Sequence, residues 1–194
     1  MLNFTKRQNE IIDVSISLIA EAGIQNLTIR NISEKMGISE PALYRHYKSK
    51  LDILLAILSY FEDSSRVMLE EIAATEASSL DKLGDIFVNK CAEFAKRPEL
   101  AKVIFSEEIF QNEEVLSRKV ADIMKIHGEI ISKIIDDAQK NGEIKNNIPL
   151  DHLTLIIMGS LRLIVTRWRL SGFKFDIVDS AKSQWQSIRQ LIKE

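Results

Sequence analysis

Residues 37–50, GISEPALYRHYKSK, place a glycine, a proline, two tyrosines, a histidine and three cations within fourteen positions. Such a set could form a turn, a catalytic cluster or a docking surface. Catalysis finds little support elsewhere in the chain. The three histidines, His46, His127 and His152, are far apart, and none has metal-ligand spacing such as H-E-x-x-H. A CxxC pair, a P-loop, a GxGxxG turn and a G-x-S-x-G elbow are all missing from the sequence. The lone Cys91 on a helical stretch reads as a small buried hydrophobe. The expectation is a protein that is not an enzyme and uses no metal and no cofactor. Hydroxyls, guanidinium and ammonium groups flanking a short helix suit a different task, the holding of phosphates.

The elements that must position this cluster are helical. The chain of 194 residues is 45% hydrophobic, with seven glycines and three prolines, a balance that favours helices over short strands. Its net charge is −2. Residues 1–50 carry seven Lys and Arg against five Asp and Glu, and the rest nineteen against twenty-three, which permits a local basic face at the start. One cysteine forms no internal disulfide, and a reducing interior is expected. The opening MLNFTKRQNE lacks the apolar run of a signal peptide, and no stretch approaches a membrane span. A cytoplasmic location without membrane contact is the expectation.

Caps and staples mark the helices. Thr5-Lys6-Arg7-Gln8 is a capping box opening a helix with Ile11, Ile12, Leu18, Ile19 and Ala22 inward, closed by Gly23. A second, short helix starts at Thr28 and ends near Gly37. A third begins at Ser39, with Pro41 in its first turn, where a missing N–H costs little. Ser49-x-x-Asp52 opens a fourth with a stripe of Leu51, Leu54, Leu55, Leu58, Phe61, Met68 and Leu69. Residues 73–80 read as a loop. Further helices follow at about 80–96, from Pro98, from Asn112-Glu113-Glu114 to Lys140, from Pro149 to Leu170, and from Asp176 with Ile177, Ala181, Trp185, Ile188 and Leu191 on one face. The expected fold is all-α with about nine helices. Its domains are residues 1–48, a three-helix DNA-binding head, and residues 49–194, a helical regulatory and dimerisation domain.

A short helix, a glycine-containing turn and a second short helix form a helix-turn-helix. The stretch L-T-I-R-N-I-S-E-K-M-G-I-S-E-P-A-L-Y-R-H-Y-K-S-K-L-D-I-L resembles the DNA-binding domain of TetR-type (tetracycline-repressor-like) transcriptional regulators. The family pattern runs T-x-R-x-I-A-x-x-x-G-(V/I)-S-x-x-x-L-Y-x-(H/Y)-F-x-x-K-x-x-L. Ser33 replaces its usual Ala and Tyr47 its common Phe. The match covers residues 5–58; later helices agree only in number and length. The resemblance implies that Thr28 touches a phosphate and that Arg30 reaches a phosphate or a guanine edge. It implies that Ser39, Glu40, Pro41 and Ala42 face the bases, that Tyr44, Arg45 and His46 hold the backbone, and that Lys50 adds a phosphate contact at a helix N-terminus. Tyr47 would pack inside. Two readings of Glu40 stay open: acceptance from cytosine N4, or a charge favoured by the helix dipole. Arg30 could instead pair with a carboxylate.

A head of this size gains affinity by dimerising on two half-sites. Leu155, Met158, Leu161, Arg162 and Val165, with Trp185 and Ile188, are the expected homodimer contacts, because a helix apolar on two faces must bury both. The resemblance implies a small-molecule effector module in the middle helices. Its expected pocket residues are Phe61, Phe87, Phe94, Met124, His127 and Trp168, with His127 in register with the apolar stripe of the long helix. The expected function is a homodimeric repressor, released from a palindromic double-stranded DNA operator by a small, largely apolar effector. The alternative is a DNA-anchored protein-interaction platform of the same fold with no effector.

Overall fold

Turns and caps set the helix boundaries. The computed structural model describes residues 4–110 and 113–194. Among them are α1 (Lys6–Ala22), a 3-10 turn (Ile24–Asn26), α2 (Ile29–Met36), α3 (Glu40–Tyr44), α4 (Lys50–Ala73), α5 (Ser79–Lys96), α6 (Pro98–Ile104), α7 (Glu107–Phe110), α8 (Glu114–Lys140), α9 (Leu150–Leu170) and α10 (Ile177–Ile192). The nine expected helices are all there, and α7 is an additional single turn. An isolated antiparallel bridge between Ile144 and Lys193 is the extended pairing among the described residues. The chain divides into two compact units, Met1–Ser64 with Glu99–Asp122 and Ser65–Pro98 with Ile123–Glu194.

In the first unit the caps form as the sequence suggests. Thr5 Oγ1 accepts from Gln8 N, and Gln8 Oε1 accepts from Thr5 N at 2.9 Å. Thr28 Oγ1 accepts from Asn31 N at 3.0 Å and starts α2. Ser49 Oγ accepts from Asp52 N at 3.1 Å, while Asp52 Oδ2 accepts from Lys48 N at 3.0 Å, which starts α4. Ile11, Ile12, Ile16, Leu27, Ile32, Leu43, Ile53 and Ile57 are fully buried and hold α1 to α4 together. Ala22 departs from expectation. It is exposed, and Ser15 and Ile16 take the inward positions. The α2–α3 turn depends on Gly37 at φ 64°, ψ 36°, a left-handed conformation glycine adopts without steric cost. Lys35 Nζ, on α2, donates to both carboxylate oxygens of Glu21 on α1, at 2.7 and 2.9 Å.

The second unit is built around α5, packed on α9 and α10. The Trp185 indole lies directly over Gly84, where a Cβ would come within 2.4 Å of Trp185 Nε1. Phe87 and Trp185 sit with ring centroids 6.0 Å apart. The Glu143 carboxylate accepts from Ser79 N and Leu80 N, at 3.3 and 3.0 Å, and so caps α5 from the turn after α8. Asp176 Oδ1 accepts from Val178 N and Asp179 N and starts α10. Asn112, the expected cap of the long helix, lies outside the described residues. Leu191, expected inward, is exposed; Ile192 is buried in its place.

Candidate nucleic-acid interface

Side chains of α2, α3 and the start of α4 share one surface of the first unit because the residues between them are buried. Ile32, Ser33, Leu43 and Tyr47 point inward. Thr28, Arg30, Ser39, Glu40, Pro41, Tyr44 and Arg45 are exposed, and Ala42, His46 and Lys50 are half-exposed. All ten residues expected to meet DNA therefore reach solvent on elements packed together. Recognition helix α3 is shorter than the two turns anticipated, a single turn of five residues. Ser39 occupies its N-cap position, yet its side chain makes no capping bond, which leaves the hydroxyl available to a ligand. Tyr44 stands 48% exposed, whereas burial pushes the Tyr47 phenol up to about 12.

Two cations have partners that the sequence did not reveal. Arg30 Nε donates to Glu34 Oε1 at 2.7 Å, one helical turn on. Lys50 Nζ donates to the Ile24 carbonyl at 2.9 Å, tying α4 to the turn after α1, and partial burial lowers its pKa. Lys50 thus serves the head's own packing as well as any phosphate.

The residues expected to form an effector pocket are spread out. Phe87, Phe94 and Trp168 are buried in the second unit, and His127 is half-buried there. Phe61 belongs to the first unit. Met124 is 50% exposed, so it is turned away from the apolar interior an effector would enter. Trp168 Nε1 donates to Phe175 O at 2.9 Å, and its ring meets Phe173 edge-on at 4.6 Å. It therefore fastens the end of α9. Sequence reasoning passed over Lys90. It is 4% exposed, hydrogen-bonded to Ser65 Oγ and paired with Glu93 at 3.1 Å. Its signal was its place on the apolar stripe Leu83, Phe87, Lys90, Cys91, Phe94. Burial, with the charge of Lys90 second, pushes His127 down to about 4, so its imidazole is neutral at pH 7. Burial pushes the Cys91 thiol up to about 12, which leaves it unreactive at neutral pH.

The expected dimer residues also divide. Leu155 is 68% exposed, Arg162 is exposed, and Met158 and Leu161 are half-buried. Val165, Trp185 and Ile188 are corrected by the structure: each is buried within its own unit, Trp185 against Gly84. The outward apolar surface of α9 and α10 is made instead by Leu155, Ile156, Leu163, Leu170 and Leu191. Among the described residues no group of three His, Cys, Asp or Glu could hold a metal ion, and no helix is long and apolar enough to cross a membrane.

Residues 11–57 match the family model for bacterial regulatory proteins of the tetR family, and residues 61–191 match the C-terminal region of YsiA-like proteins. The chain belongs to the TetR family. Over 174 residues it is 25% identical to the fatty acid metabolism regulator protein of Bacillus subtilis (strain 168), covering 90% of this chain and 89% of that one. It is 23% identical over 193 residues to the nucleoid occlusion factor SlmA of Haemophilus influenzae (strain PittGG), covering 96% and 86%. The crystal structure of FadR from Bacillus subtilis in complex with stearoyl-CoA superimposes with a TM-score of 0.85 at 25% identity, covering 93% of this chain and 96% of that one. FadR from Bacillus halodurans superimposes at 0.88 with 18% identity, covering 96% of both, and shares the fold. The TetR-family chain is thus a DNA-binding transcriptional regulator of all-α fold.

Proposed function

We propose that the protein is a cytoplasmic, homodimeric repressor whose residues 1–48 bind an operator half-site and whose residues 49–194 dimerise and sense an effector. Its work is binding, not catalysis. The observation that carries this reading is the shared exposed surface of Thr28, Arg30, Ser39, Glu40, Pro41, Ala42, Tyr44, Arg45, His46 and Lys50 over a buried layer of Ile32, Leu43 and Tyr47. A short helix so exposed can enter a major groove about 12 Å wide, with flanking hydroxyls and cations on the phosphates. The outward leucines of α9 and α10 support a two-fold contact through these helices. Gly159 lies on the same outward stretch of α9 with open space around it, which lets a facing helix approach closely.

The effector is a mainly apolar molecule with one polar end. The second unit offers an apolar interior in which Lys90, Glu93 and His127 are the polar groups, the composition expected of a small-molecule site. The complex of the Bacillus subtilis relative makes a long-chain acyl-CoA the first molecule to test. Effector binding favours a conformation with the wrong spacing between the two heads, and α4, which runs through the boundary between the units, is the lever. Such coupling is typically ~1–3 kcal/mol and reciprocal.

Duplexes selected from a random pool, then challenged with acyl-CoA of graded chain length, test the reading. A palindromic duplex released 5–150-fold more readily by a long-chain ligand is expected. Likeness to the nucleoid occlusion factor favours a second reading, a DNA-anchored platform that recruits a protein partner without an effector. A selected duplex that no apolar ligand releases would favour that alternative.

A further inference from the structure

We propose that Glu34 is a positioning residue for base recognition: it holds the Arg30 guanidinium by Nε, so that the two terminal nitrogens form an end-on fork for a guanine in the major groove. The inference rests on α2 and α3 being the DNA-contacting surface.

The guanidinium has five N–H donors in a rigid plane and can offer a paired edge in two ways, side-on through Nε or end-on through Nη1 and Nη2. Glu34 Oε1 occupies Nε at 2.7 Å, which removes the side-on edge. Among the described residues no other hydrogen bond or ion pair engages Arg30. The end-on pair is therefore the one left to a ligand. Guanine O6 and N7 are its best-matched partner in the groove.

Helix stability is a poor explanation for the pair. Both side chains are well exposed, 76% and 61%. The order, cation before anion, is the weaker one for an i,i+4 contact. Nor does Glu34 serve another cation. Its neighbour Lys35 is held on α1 by Glu21 and Ser17. Glu34, and more weakly Glu40, raise the Arg30 pKa, consistent with carboxylates gathered around this one cation.

A carboxylate on a DNA-facing surface also repels phosphates. Glu34 thus weakens Arg30 as a general phosphate contact while it aims the fork at a base. The effect is specificity gained at the expense of affinity for random sequence.

The test is duplex selection from a random pool by the full-length wild type, Arg30→Ala, Glu34→Gln and Glu34→Ala, with relative affinities measured position by position. Gln and Ala are as good helix formers as Glu or better, so the unfolding midpoints should stay within a few degrees of wild type. The expected result is one position per half-site where wild type prefers guanine by about ten-fold or more. Arg30→Ala and both Glu34 variants reduce that preference to about three-fold or less and leave other positions unchanged. The Glu34 variants also bind random duplex at least as tightly as wild type. A full guanine preference retained by both Glu34 variants would overturn the proposal. So would an Arg30→Ala variant that weakens all sequences alike and flattens the log–log salt slope by about 0.9, because Arg30 would then hold a phosphate. In either case the regulator reading stands. Wild type that bound no duplex at all would remove both.

Discussion

Ser33 and Tyr47 stand where the TetR-type pattern has Ala and Phe, and both bring a hydroxyl into the core. Ser33 Oγ and Tyr47 Oη are buried with no hydrogen-bond partner among the described residues. A buried hydroxyl without a partner costs about 1–3 kcal/mol. Ser33→Ala and Tyr47→Phe should therefore each stabilise the protein by about 1 kcal/mol, seen as a thermal midpoint raised by a few degrees, with duplex affinity unchanged. A lowered midpoint in either variant would mean the hydroxyl has a partner after all. His127 gives a pH signature. Its folded value, about 4, lies below the ordinary 6.5. Between those values the unfolded chain takes up a proton that the folded one does not. The contribution is intact above pH 6.5 and is lost as pH falls toward 4, on the order of 2–3 kcal/mol in all. Unfolding midpoints at pH 7 and pH 4.5 should therefore differ less in His127→Leu than in wild type.

Helix α5 meets α10 at a contact that admits no extra atom. Gly84→Ala would gain up to about 1 kcal/mol of helix propensity. Against this, its Cβ would fall 2.4 Å from Trp185 Nε1 and 2.9 Å from Cδ1, on a rigid buried ring. Overpacking of that kind costs about 1–3 kcal/mol, so the net effect should be a loss of about 1–2 kcal/mol in denaturant unfolding. This element-level fit was not legible in the sequence. Thr5-x-x-Gln8, Thr28, Ser49-x-x-Asp52 and Asp176 announce their helices because capping is local chemistry, and all four form. Gly37 announces its turn for the same reason. Which way α9 and α10 rotate is a tertiary choice. Trp185 and Ile188 look like exposed anchors until Gly84 supplies a seat for the indole. Lys50 and Arg30 looked like solvent cations because nothing local points to the Ile24 carbonyl, and Glu34 shows only as a spacing. Lys90 was legible as a lysine on an apolar stripe, and its burial was not.

At the scale of the molecule, operator binding requires two heads. The outward leucines of α9 and α10 should hold the pair. Each substitution occurs twice across a two-fold axis, and each buried leucine is worth about 1.5–3 kcal/mol. Leu163→Glu should weaken the dimer by about a hundred-fold or more in sedimentation, and with it binding to a palindrome, while each monomer stays helical by circular dichroism. Val165→Ala, on the inward face, should instead lower thermal stability and leave the dimer intact. The central claim, that this TetR-family chain works by placing the α2–α3 surface on DNA, is tested most directly by the salt dependence of duplex affinity. With Arg30, Arg45 and Lys50 near phosphates in each of two heads, log affinity should fall against log salt with a slope of about −5. A slope shallower than about −1 on the best selected duplex would contradict the account.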